Sequence, residues 1–109
     1  MYVLNHTEAS PYIFGVAFHC YSGDVSAQST VKKAYPDKEI YFTECSGFFG
    51  ASNFTENLLW YTNVLVIGTT RNWARTVLMW SLVLDEKGQP NIGGCQDCRG
   101  VVTINSVTG

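Results

Sequence analysis

Glu44 closes a strand-like run, Glu39-Ile-Tyr-Phe-Thr-Glu44, and is followed directly by Cys45-Ser46-Gly47. His19 and Tyr21 close a second apolar run, Tyr12-Ile-Phe-Gly-Val-Ala-Phe-His19, with Cys20 between them. A carboxylate acts as a nucleophile only when ionised, so hydrogen-bond donors beside it favour that chemistry. His19, Tyr21 and Ser46 are the donors that this neighbourhood offers Glu44. Trp80, in the apolar run 76–84, has a flat face on which a sugar ring or a core side chain can pack. On spacing alone Glu44 reads as a solvated strand terminus, and plainer readings stand beside the others too: His19 as a hydrogen-bonded core histidine, Trp80 as packing.

Cys95 and Cys98 have the Cys-x-x-Cys spacing of a redox motif, or of half a zinc site. Neither completes. No second close cysteine pair occurs, His6 and His19 are distant in sequence, and Gly93-Gly94 and Arg99-Gly100 do not suggest a helix start at Cys95. The pair reads as a small disulfide pinning a turn, with little entropic gain from so short a loop. No metal site and no cofactor are expected.

The elements that must position these groups follow from periodicity. The first eleven residues read as a loop, and residues 12–19 as a strand covered on both faces. Asp24 or Ser26 can cap a helix through Ala27, Val31 and Ala34, which ends in Lys32 and Lys33 and stops at Pro36-Asp37. Residues 39–44 form the second strand and 47–52 a glycine-containing loop. A buried helix is predicted from Phe54 to about Gly68, with Leu58, Tyr61, Leu65 and Ile67 or Gly68 apolar and Trp60 in the core. Residues 76–84 read as a third strand, 85–94 as turns, and Val101-Val-Thr-Ile104 as a last short strand. Arg71 and Arg75 are expected to cap the helix or tie strands. Strand, helix, strand, helix, strand is the order of parallel βα units, whose functional groups gather at the carboxyl ends of the strands. Alternation along a strand puts Cys20 and Cys45 on the face opposite His19 and Glu44, where they read as buried free thiols against the helices.

Composition narrows the function classes. The 109 residues carry 7 basic and 9 acidic side chains, a net charge of -2, so nucleic acid is not an expected partner. The 46% hydrophobic content is that of a folded chain with room for one core. No apolar run approaches the ~20 residues that cross a bilayer, and no signal peptide follows Met1. Aromatics at 14% suit a sugar cleft or a dense core equally in kind. Asn5-His-Thr7 and Asn53-Phe-Thr55 are N-glycosylation sequons.

Four linked motifs run in order from about Tyr12 to Asn105. Gly15-Val-Ala-Phe-His-Cys-Tyr21, Tyr41-Phe-Thr-Glu-Cys-Ser-Gly47, Arg71-Asn-Trp-Ala-Arg75 and Trp80-Ser-Leu-Val-Leu-Asp-Glu-Lys-Gly88 together resemble glycoside hydrolase family 30. That is the family of glucosylceramidase and the β-1,6-glucanases. The resemblance implies an α/β fold, part of a (β/α)8 TIM barrel contributing about its last three strands. Residues 1–109 are then a single fragment of that barrel, with about 99–109 starting the return toward a β-sandwich. It implies a retaining β-glycosidase with Glu44 as nucleophile and His19, Tyr21 and Trp80 at the substrate, a β-glucoside such as glucosylceramide or β-glucan.

A full barrel needs about 250 residues, so Met1 reads as an internal position and the N-terminal half of the barrel as a missing partner. The family's acid/base glutamate follows an asparagine, and no Asn-Glu pair occurs here. The chain alone is therefore expected to be inactive. Where the family has Trp-Asn this chain has Trp80-Ser81, which leaves the inherited role of that position open. The disulfide reading favours a secreted or lysosomal setting. Two other functions compete: a non-catalytic carbohydrate-binding module using the aromatics, and a small disulfide oxidoreductase built on Cys95 and Cys98.

Overall fold

A computed structural model describes residues 2–48, 50 and 53–109. At its centre is a three-stranded parallel sheet in the order β1 (Gly15–His19), β2 (Glu39–Glu44), β4 (Ala74–Val77). Helix α1 (Ala27–Ala34) connects the first two strands. Helix α2 (Phe54–Trp60) continues as a π-helix over Tyr61–Thr69 and leads into the third. The expected βαβαβ order is present, with both crossovers helical. Between β2 and α2, the short β3 (Gly47–Phe48) pairs antiparallel with β6 (Cys98–Arg99). The loop expected over 47–52 thus begins as a strand, and residues 49, 51 and 52 lie outside those described.

The core lies where β2 meets the π-helix. Ile40, Phe42, Cys45, Leu65 and Ala74 form its buried cluster, with Phe18, Val31 and Val64 packed against it. Ile40 and Phe42 alternate with less buried neighbours, as a strand with one face against helices requires. Gln28 is almost fully buried on α1, where its amide, oriented with the nitrogen toward the carbonyls of Thr69 and Asn72, can donate to both at 3.1 and 3.2 Å. Ser29 Oγ donates to Asn72 Oδ1 at 2.6 Å, so polar bonds tie α1 to the end of the second crossover. Arg75 meets Glu39 at 2.6 Å and ties β4 to β2.

Four expectations are corrected. The third strand does not run through 76–84: β4 ends at Val77, and β5 (Val83–Asp85) pairs parallel with β7 (Val102–Ile104) in a different sheet. Ser81 has φ 55°, a left-handed turn that an apolar run does not reveal. Between these strands the chain still follows β2, with Leu78 N–H donating to Phe42 O and Trp80 N–H to Cys45 O, both at 2.9 Å. Trp60 is not core; it is 44% exposed and meets Tyr61 edge to face. Leu58, in the α-helical part, and Ile67, in the π part, are exposed as well, and within the π turns it is Leu65 and Thr69, four apart, that are buried. Finally, Cys20 and Cys45 are not free thiols but a disulfide, S–S 2.02 Å and Cα–Cα 5.3 Å.

Candidate active site

Register explains how Glu44 comes to face its neighbours. Gly15 to Phe18 pair one to one with Glu39 to Phe42, but His19 pairs with Glu44, leaving Thr43 as an extra residue on β2. Simple alternation would put Glu44 on the face of Ile40 and Phe42, in the apolar layer under the helices. The bulge shifts the parity by one, so Glu44 shares the face of His19 while Cys45 turns into the core.

On that face three polar side chains converge. Tyr21 Oη donates to Glu44 Oε1 at 2.9 Å, and His19 Nδ1 lies 4.0 Å from the same oxygen. The His19 and Tyr21 rings stand edge to face, centroids 5.8 Å apart. Partial burial, the hydrogen bond to Glu44 and the charge of that carboxylate push the Tyr21 phenol up to about 12, against a backbone hydrogen bond from Ser46. At neutral pH Tyr21 is therefore a fixed donor. Glu44 keeps about a third of its side chain exposed, enough for a ligand to reach it. A carboxylate oriented by a phenol and open to solvent can attack an electrophilic carbon.

Trp80 is anchored next to this cluster through its backbone, yet its indole lines a second cleft of about 430 Å³ with Tyr61, Met79 and Arg99. His19 also borders a 260 Å³ cavity shared with Asp24, Gln28 and Trp60. Cys95 and Cys98 are joined, S–S 2.12 Å, in the segment leading into β6. The structure thus brings His19, Tyr21 and Glu44 together, whereas Trp80 is tied to that end of β2 through its backbone and lines the other cleft. Sequence reasoning missed the Cys20–Cys45 bridge. Its signal was present: each cysteine directly follows a residue expected at one site, on strands expected to be neighbours.

No family model matches the chain. It is 33% identical over 113 residues, 95% of its length, to the endo-1,6-β-D-glucanase neg1 of Aspergillus fumigatus, of which it covers 20%. It is 31% identical over 104 residues, 82% of its length, to putative glucosylceramidase 3 of Caenorhabditis elegans, of which it covers 18%. Among solved structures, the endo-β1,6-glucanase BT3312 superposes with a TM-score of 0.87 at 37% identity, over 94% of this chain and 23% of that one. The chain is thus similar to endo-1,6-β-glucanases and to a glucosylceramidase-like protein, in line with the resemblance to glycoside hydrolase family 30. It spans about a fifth of the length of the curated relatives it matches. Among the described residues, no helix is long and apolar enough to cross a membrane.

Proposed function

We propose that this chain carries the nucleophile of a retaining β-glycosidase that cleaves a β-linked glucan, with Glu44 as the attacking carboxylate. The observation that carries this reading is the 2.9 Å hydrogen bond from Tyr21 to Glu44, at the carboxyl ends of adjacent parallel strands in a chain related to endo-1,6-β-glucanases. In this reading the three strands are consecutive staves of a (β/α)8 barrel, and residues from about 99 begin the passage to a β-sandwich. Trp80 is the platform for a sugar ring, and His19 and Tyr21 orient Glu44 and the substrate. The two disulfides suit secretion into an oxidising compartment. A β-1,6-glucan is the first substrate to test, and glucosylceramide the second.

Glu44 forms a bond to the anomeric carbon as the glycosidic C–O bond breaks. A protonated carboxyl group gives its proton to the departing oxygen, and water later releases the sugar with that same group acting as base. The two carboxyls of such a site lie about 5–5.5 Å apart. Glu39 does not fit that role: it starts the strand that Glu44 ends, roughly 17 Å away at strand rise, and is paired with Arg75. Glu86 is held by Ser106. With no Asn-Glu pair of the family type in the sequence, we assign the acid/base carboxyl to a barrel segment outside residues 1–109 and expect the chain alone to release no sugar.

The test exchanges this chain for the matching fifth of an endo-1,6-β-glucanase. The chimera is expected to hydrolyse β-1,6-glucan, and a 2-fluoroglucosyl inactivator should label the peptide containing Glu44. Glu44→Gln should cut kcat by on the order of 10⁴-fold, the scale of losing a group central to covalent catalysis. An active chimera whose label lands elsewhere, or whose rate survives Glu44→Gln, refutes the assignment.

A further inference from the structure

We propose that the Cys20–Cys45 disulfide is a positioning device for the candidate active site: it locks the bulge at Thr43 and so keeps Glu44 beside Tyr21 and His19. The two cysteines are the residues immediately next to the site groups on both strands, Cys20 between His19 and Tyr21 and Cys45 directly after Glu44. A bulge leaves one residue unpaired and loosens the ladder around it, and here it occupies the last position before the strands part. Relaxing it by one residue would return Glu44 to the parity of Phe42, under the helices and away from Tyr21. The bridge prevents that slip, because Cys45 must stay in the core facing Cys20 for its sulfur to reach.

Cys45 is fully buried, and its carbonyl accepts the Trp80 N–H at 2.9 Å. One residue thus links the β1 end by its side chain and the Trp80 segment by its backbone. The inference builds on the placement of Glu44 in a site, but its tests read no hydrolysis. Its failure and the failure of the glycosidase reading are therefore separate results.

Cys20→Ala/Cys45→Ala is the direct test, with tetranitromethane as the probe, since it nitrates phenolate. Tyr2 and Tyr12, both highly exposed, are internal references in the same peptide map. With the bridge intact Tyr21, its phenol held up to about 12, should react roughly 100-fold more slowly than a tyrosine of ordinary pKa near 10. In the folded double variant, checked by far-UV circular dichroism, that protection should largely vanish. Protection unchanged in a folded variant overturns the proposal and leaves the bridge a stabilising staple.

If the double variant does not fold, the reciprocal coupling decides. Two glutathione thiols reduce the bridge to two cysteine thiols and leave one glutathione disulfide, so its equilibrium can be titrated. If the bridge holds the Tyr21–Glu44 bond, the bond must equally hold the bridge. Tyr21→Phe should shift that equilibrium toward reduction by about fivefold or more, the lower end of usual coupling between sites. Tyr12→Phe should leave it in place, and an unmoved equilibrium in Tyr21→Phe overturns the proposal.

Discussion

Tyr21 shows how one side chain can report on the site. Its phenol is pushed up to about 12, first by partial burial and then by the hydrogen bond to Glu44 and the charge of that carboxylate. The folded pKa lies above the ordinary value of about 10. The neutral form is therefore the one that folding favours, and its contribution is fully present below pH 10. That contribution should fade as the pH climbs from 10 through 12. The phenolate absorbance difference between the parent chain and Tyr21→Phe should rise with a midpoint near 12. A midpoint near 10 would mean that Tyr21 and Glu44 are not bonded in solution.

Elements were legible in the sequence to the degree that local pattern decided them. Strand β2 has the bounds that its Glu39-to-Glu44 run predicts, and α1 starts after Ser26 and ends before Pro36, although neither Asp24 nor Ser26 caps it with a side-chain hydrogen bond. Features set by long-range register were not legible. The bulge at Thr43, the bridge it brings together and the pairing of two-residue β3 with β6 depend on residues far apart in sequence. The break after β4 hides in an apolar run because a single left-handed residue, Ser81, makes the turn. Trp60 was misread because the helix around it changes pitch at Tyr61.

Register also makes an element-scale prediction. A Cβ at Gly15, where β1 begins, would stand 2.5 Å from Glu39 O and 2.9 Å from Tyr41 Cε2. Backbone cannot yield there without parting the two strands. Gly15→Ala should destabilise the chain by about 1–3 kcal/mol in denaturant titration, as overpacking does. Gly94→Ala, with open space around it, should stay within about 0.5 kcal/mol. Equal effects would contradict the β1–β2 pairing.

At the scale of the whole molecule, surface is the dominant fact. The chain exposes 7491 Å², where a compact 12.1 kDa protein exposes roughly 6,000 Å². Its radius of gyration of 16.6 Å likewise exceeds the ~13 Å of a compact domain this size. The excess is apolar in part: Phe14, Phe54, Leu58, Trp73 and Leu82 each keep more than half their surface in water. The parallel sheet ends, among the described residues, in β1 on one side and β4 on the other, and an unpaired strand edge recruits further strands. Burying such surface against another copy is the available route when no other partner is present. Light scattering after size exclusion should give a mass above 12.1 kDa that grows with concentration. Thr76→Lys, which sets a charge at an exposed position of β4, should lower that mass by blunting one edge. A monodisperse monomer that unfolds in one cooperative step would show that the chain satisfies its own edges, and would remove this physical argument for barrel staves that need neighbours.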